Sequence, residues 1–395
     1  MTLKILVVSF YYSPDLSAGS FRTTALVKAL LAQLPEDAHV EVITTLPNRY
    51  SSFTDEAPET EVLPQLTIRR IKLPAHQSGM MDQARAFVTY ARQVISLARQ
   101  GDYQLVFSTS SRLMTAALSA YVARIKRLPL YLDIRDIFVD TIKDILPGKS
   151  ALLLKPFFSL VERWTITRAN KVNLVSRGFE SYFVDRYPRQ RYSFFTNGID
   201  EEFINAYQST TKREKTPEEP VVVLYAGNMG EGQGLHAIIP ELAKRLEGRA
   251  QFRLIGDGGR KNLLQSRLVD IGCVNVELLP PVKRDKLLYE YQQADILFLH
   301  LNDYPAFKKV LPSKLFEYTA MGKPVWAGVS GYAAEFVNTE IDNSAVFHPC
   351  DVDEAVQVFT KLKLIHYTRT GFIEKFAREN IVHSMAKDVL SIVPG

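Results

Sequence analysis

Short, uninterrupted apolar runs recur along this chain, each bounded by loop residues and followed by a stretch of helical character. Residues 3–9, 40–45, 105–109, 130–134 and 171–176 make a first series. Residues 221–225, 274–279, the run ADILFLHL ending at Leu301 and VWAG at 325–328 make a second. A strand with no polar alternation is buried on both faces, which is the condition of a parallel sheet covered by helices. Residues 62–72 hold a further strand, SAVF near residue 345 another, and residues 372–393 read as helical. Two such series predict an α/β protein of two doubly wound, Rossmann-like domains facing across a cleft.

The stretch QSTTKREKTPEEP at residues 208–220 is polar, charged and proline-bearing, so it reads as the linker. The expected division is 1–207 for the first domain and 221–375 for the second. Residues from about 376 to 395 are expected to return to the first. Two cysteines, Cys273 and Cys350, supply neither a disulfide framework nor metal-ligand spacing, so a reducing cytoplasm is the expected compartment. The N-terminal apolar run is too short for a signal peptide, and no run approaches about 18 residues, so no spanning helix is expected.

Charge is uneven. Residues 1–200 carry 25 Lys/Arg against 18 Asp/Glu, whereas residues 201–395 carry 23 against 25. A basic first half points to anionic partners. No nucleic-acid motif accompanies it, and a lipid diphosphate or an anionic membrane surface fits at least as well as nucleic acid. Residues 149–191 concentrate the excess, nine Lys/Arg against three acidic residues around LLLKPFFSLVERW. That segment reads either as a membrane-surface patch or as an ordinary helix wrapped around the sheet. The arginines at 85, 92 and 99 leave the same two readings open for the helix beginning near residue 84.

The most informative stretch is VLPSKLFEYTAMGKPVWAG at residues 310–328. Pro312 suits a first helical turn, and Gly322 followed by Pro324 reads as the stop. Within the helix Lys314, Glu317 and Tyr318 share a face. Amides and a cation beside Ser313 suit a phosphate, and a carboxylate one turn on suits a ribose. The plainer reading is a solvated surface helix with a Lys–Glu pair. The loop YYSPDLSAGS before the helix at 21–34 and the turn AGNMGEGQG after the strand at 221–225 both suit phosphate binding, although glycine-rich turns alone are weak signals. Asp133, Arg135 and Asp136 fall at the C-terminal end of the strand at 130–134, where open sheets place ligands. They are either functional or an Arg–Asp structural pair. Arg260 and Lys261, after a GDGG turn, have a solvated helix start as their alternative.

The PSKLFEY run resembles the donor-site helix of glycosyltransferases of the GT-B fold, specifically retaining family 4 enzymes of the branch that builds bacterial surface polysaccharides. In that family two glutamates with seven residues between them lie here; the second falls on Glu317, while the first falls on Lys309. RDIF resembles the branch's RDLW without its Trp-Pro, and TNGID at 196–200 resembles the NGVD turn with which these enzymes leave their first domain. The Arg and Lys that clamp the donor diphosphate in many members fall on Asn228 and Gln233. The resemblance implies a transferase moving a sugar from a nucleotide-diphosphate sugar to a lipid-linked carbohydrate acceptor, with no cofactor and no obligatory metal. It implies catalytic roles for Asp136, Arg135, Gly19 and Ser20. Donor binding would fall to Gly227, Asn228, Gln233, Arg260, Lys261, Ser313, Lys314 and Glu317. A nucleotide-sugar epimerase on the same fold is one alternative; a non-catalytic sugar-nucleotide-binding subunit is another, which the missing glutamate and basic pair leave open.

Overall fold

The computed structural model describes residues 2–15, 17–47, 57–74, 80–110, 112–137, 139, 148–208 and 219–394. The chain forms two compact units, Met1–Thr196 with Glu379–Gly395, and Asn197–Arg378.

The first unit runs β1 (Lys4–Val8), α1 (Ala18–Leu31), β2 (His39–Thr45), β3 (Thr60–Leu63), β4 (Leu66–Ile71), α2 (Met80–Gln100), β5 (Leu105–Ser110), α3 (Leu113–Lys126), β6 (Leu130–Ile134), α4 (Gly148–Arg168), β7 (Lys171–Leu174), α5 (Glu180–Arg186) and β8 (Tyr192–Ser193). Its sheet has the order β3-β4-β2-β1-β5-β6-β7-β8. Only β3–β4 is antiparallel. The single strand expected at 62–72 is therefore a hairpin. Gln65, at φ 58°, makes the turn between its arms. Strands β1, β2 and β5 are buried almost throughout, which is why they carry no alternation. Helix α2 starts at Met80, earlier than its apolar pattern announces.

The second unit runs α6 (Glu201–Gln208), β9 (Val221–Ala226), α7 (Leu235–Arg245), β10 (Ala250–Ile255), α8 (Lys261–Ile271), β11 (Val276–Leu279), α9 (Arg284–Gln293), β12 (Ile296–His300), α10 (Lys314–Ala320), β13 (Val325–Gly328), α11 (Tyr332–Glu340), β14 (Ser344–Phe347), α12 (Val352–Phe359) and α13 (Thr370–Phe376). Its sheet, β11-β10-β9-β12-β13-β14, is wholly parallel. The core gathers Phe252, Phe298, Trp326 and Phe347 beneath α7 and α12.

The helix α14 (Arg378–Leu390) then sends Val382, Met385, Ala386 and Val389 into the core of the first unit, beside Ile5, Val7 and Phe107. The domain boundary differs from the sequence reading. The first unit closes at Thr196 rather than at residue 207, because α6 belongs to the second. Phe203 stacks on Tyr291 at 5.9 Å, and Asp200 accepts hydrogen bonds from Arg284 and Arg378. Most of the stretch expected as a linker, residues 209–218, lies outside the described residues.

In each sheet the strand order reverses once beside the first strand, between β1 and β5 and between β9 and β12. Doubly wound sheets bind ligands at this point, beyond the carboxyl ends of the strands.

Candidate active site

In the second unit, Gly227 follows the last residue of β9 and Gly256 the last of β10. Gly227 sits at φ 155° and Gly256 at φ 146°. They approach so closely that a methyl group on Gly256 would collide with the Gly227 carbonyl. Side chains are excluded there, so bare backbone lines the carboxyl ends of these two strands. A methyl group on Gly227 would strike Lys314 Cε and Nζ, so the Lys314 ammonium lies directly over the Gly227 backbone. Its Nζ also stands 6.0 Å from the Tyr225 ring centroid. Burial lowers the Lys314 pKa, with Glu317 opposing and Arg284 adding to the shift. Among the described residues Lys314 makes no hydrogen bond or ion pair.

Helix α10 is shorter than expected, beginning at Lys314 rather than Pro312, and Ser313 makes no side-chain capping bond. The solvated surface helix does not hold, because Leu315, Phe316, Tyr318, Thr319 and Ala320 are all buried. Two tyrosines fix its orientation. The Ala226 amide donates to Tyr318 Oη at 3.2 Å, and Tyr291 Oη donates to Glu317 Oε2 at 3.2 Å. The two rings meet edge to face at 5.4 Å. Glu317 is thereby held at the same strand end as Lys314.

The glycine-rich loop is closed on itself. Asn228 Nδ2 donates to Gln233 Oε1 at 2.8 Å, and the Gly230 amide reaches the same oxygen at 3.3 Å. These two side chains, at the positions of the family's basic pair, are engaged in shaping the loop. Nor are the other cations available without rearrangement. Arg260 is bound to Glu231, and Lys261 Nζ donates to the Gly256 carbonyl at 3.1 Å. The solvated helix start suggested for these two residues therefore understates their contacts.

His300, at the end of β12, is a partner the sequence reading did not single out. Its Nε2 accepts from the Cys350 amide at 3.0 Å. A backbone amide only donates, so Nδ1 carries the proton and donates to the Gln233 carbonyl at 2.7 Å. Burial pushes its pKa down to about 4, keeping the ring neutral while it anchors the loop.

In the first unit, α1 opens with Ser17 Oγ accepting from the Ser20 amide at 3.1 Å, while the Ser20 side chain is buried. Gly19 lies against Arg135, whose guanidinium a methyl group there would meet. An Arg–Asp structural pair does exist at this strand end, but it joins Asp133 to Arg22, which no spacing rule connects. Arg22 Nε donates to Asp133 Oδ2 at 2.8 Å and Nη2 to Oδ1 at 3.0 Å, with both side chains fully buried. Thr109 and Asn173 donate to the same carboxylate. Burial alone would raise the Asp133 pKa; Arg22 and these bonds outweigh it and hold the carboxyl below its usual range. Asp133 is thus structural. Asp136 differs: burial pushes its carboxyl up to about 6, against the opposing charge of Arg135. Ser111 and the side chain of Lys149 lie outside the described residues; Ser110 Oγ accepts from the Arg112 amide at 3.0 Å.

Family comparison agrees with this architecture. Residues 22–198 match the family described as Glycosyl transferase 4-like domain, and residues 208–377 match Glycosyl transferases group 1. The chain carries the two domains of a glycosyltransferase. This glycosyltransferase is 26% identical over 348 residues to WcaI of Escherichia coli (strain K12), which bears the name of a colanic acid biosynthesis glycosyl transferase. The match covers 81% of this chain and 82% of the relative. Among solved structures, sucrose-phosphate synthase from Thermosynechococcus elongatus superposes with a TM-score of 0.74 at 15% identity, covering 98% of both chains. HepE of Anabaena, solved with UDP and glucose, gives 0.67 at 16% identity over 98% of this chain and all of its own. WaaG, a glycosyltransferase involved in lipopolysaccharide biosynthesis, gives 0.64 at 15% identity over 99% of this chain and all of its own. At these identities the structures share the GT-B fold.

Among the described residues no helix is long and apolar enough to cross a membrane, and no group of three or more His, Cys, Asp or Glu is placed to hold a metal ion.

Proposed function

We propose that the protein is a retaining hexosyltransferase of surface-polysaccharide assembly, taking its sugar from a nucleoside-diphosphate donor without an obligatory metal. The observation that carries this is Lys314, a partly buried ammonium with no anionic partner in contact, poised over the bare backbone of Gly227. Such a cation is completed by a diphosphate. Glu317, held by Tyr291, is the carboxylate for the ribose hydroxyls. During transfer the bond from the anomeric carbon to the diphosphate oxygen breaks. The acceptor hydroxyl bonds to that carbon on the same face, and its proton passes to the departing diphosphate. Lys314 stabilises the charge that develops there. Asp136, Arg135, Gly19 and Ser20 are the catalytic residues of this proposal.

The polysaccharide setting rests on WcaI and WaaG. The acceptor is proposed to be lipid-linked, met at an anionic bilayer surface in the cytoplasm. Helix α4 would contribute to that meeting, since Phe157 and Leu160 stand 55% and 67% exposed near Lys155 and Arg163.

The test is a thermal-shift screen against UDP, GDP, ADP and CMP, with and without magnesium. One nucleoside diphosphate should stabilise the protein equally in both conditions, since binding to the native state alone raises the melting temperature. No shift with any of the four would remove the donor-site assignment.

A further inference from the structure

Helix α9 opens with Arg284, a cation at the end of a helix that favours anions. Its side chain is only 17% exposed, a costly position unless other charges answer it. Two carboxylates from the segment that opens α6 do so: Nη2 donates to Asp200, and Nε donates to Glu202 at 2.5 Å. Neither carboxylate depends on it. Asp200 also accepts from Arg378, and Glu202 is well solvated. The guanidinium lies 4.7 Å from the Phe203 centroid, and the same ring stacks on Tyr291. Tyr291 stands two turns along α9 from Arg284 and is the phenol that donates to Glu317. One helix therefore carries the group that orients Glu317 and a fixed cation that faces it. Arg284 and Glu317 form no ion pair, so the attraction between them acts through space and leaves the carboxylate oxygens to other partners. The charged and aromatic groups turned toward Lys314 are Glu317 on its own helix, Arg284 from α9 and the Tyr225 ring from β9. Of these, Arg284 alone opposes the protonated ammonium.

We propose that Arg284 is a positioning residue of the donor site, a locked cation that sets the charge balance of Lys314 and Glu317 without touching the donor. The inference rests on the reading of those two residues as donor contacts. Asp200, Glu202 and Phe203 keep the guanidinium from collapsing onto Glu317, and its field adds to that of Lys314 where the diphosphate is to bind.

The experiment first measures calorimetrically the binding of UDP, GDP and ADP to the full chain at neutral pH. The tightest of the three is then followed from about pH 7 to about pH 10 in wild type, Arg284→Gln and Arg284→Lys. Wild-type affinity should fall along that range as Lys314 gives up its proton. Arg284→Gln should bind roughly 3- to 10-fold more weakly at neutral pH, through loss of a nearby positive charge. Its alkaline fall should nevertheless shift upward by about 0.3–1 pH unit, because the like charge that opposed protonated Lys314 is gone. Arg284→Lys keeps the charge and should restore both values. Ionisation of the base cancels, since all three proteins meet the same nucleotide. A residue that merely held α9 in place would leave the alkaline fall where it is, and that result, or unchanged affinity in Arg284→Gln, overturns the proposal. If Arg284→Gln does not fold, its combination with Glu202→Gln, which removes the carboxylate left behind, decides on the same criterion. Failure of wild type to bind any of the three nucleotides would remove the donor-site reading and this inference with it. Binding with an unmoved alkaline fall would refute this inference alone.

Discussion

Replacing Lys314 by methionine should move stability and donor affinity in opposite directions. The ammonium stands over Gly227, partly buried, with its pKa lowered by that burial and Glu317 compensating only in part. The folded protein without ligand therefore holds a cation that would be better solvated in the unfolded chain. Methionine keeps the length and apolar stem and removes the charge, so the unliganded variant should be more stable by about 0.5–2 kcal/mol, the usual return from relieving a functional site. A hydrogen-bonded contact to a charged group contributes about 1.5–3 kcal/mol, so nucleoside-diphosphate affinity should fall roughly 10- to 150-fold. The sign with pH follows from linkage. The unfolded chain binds more protons than the folded one between the lowered pKa and the ordinary lysine value of 10.5, so wild-type stability rises with pH across that alkaline window. The methionine variant should lack that rise. Urea unfolding at several pH values, paired with calorimetric titration of the nucleotide, reads all three quantities. A variant less stable than wild type with unchanged affinity would show that the ammonium is a structural element, and the reasoning would fail.

Tyr291→Phe removes the bond to Glu317 Oε2 while keeping the ring that stacks on Phe203, so donor affinity should weaken about 3- to 10-fold with a small change in melting temperature; equal affinity would leave Glu317 oriented by something else. Asp133→Ala leaves Arg22 buried without its counter-charge and should cost about 3–5 kcal/mol in urea unfolding, against less than 1 kcal/mol if the pair were incidental. The carboxyl of Asp133 is held low, so its contribution is present above the ordinary aspartate value and is lost as pH falls through the folded one. Asp136, raised to about 6, works the other way: wild-type stability should decline as pH rises from about 4 to 6, and Asp136→Asn should flatten that decline and any limb of the pH–rate profile near 6.

The strands were legible because both faces of each sheet are covered. Continuous runs such as ILVV and ILFLH admit few other readings, and their observed bounds differ from the expected ones by a residue or two. The hairpin at β3–β4 was not separable, since its outer arm is an exposed edge with no pattern of its own. Lys314 and Glu317 were legible because helical spacing puts them on one face. Their environment was not: the tyrosine holding Glu317 is 26 residues away, and the glutamate binding Arg260 is 29 away. Neither distance is periodic. The domain boundary was misplaced for a similar reason. Composition marks a polar loop, whereas the unit closes where Ile199 exchanges backbone bonds with Phe376 and Arg378.

Those bonds place the outgoing and returning crossings of the chain side by side, and they give synthesis a direction. A ribosome delivers the first unit's strands before anything else, yet their core stays open until Val382, Met385, Ala386 and Val389 have emerged. The second unit is complete as soon as Arg378 has been made. The portion translated first is thus the last to close. In the interval the nascent first unit presents an apolar groove of the length of α14, a period in which a chaperone, rather than the native chain, is the natural occupant.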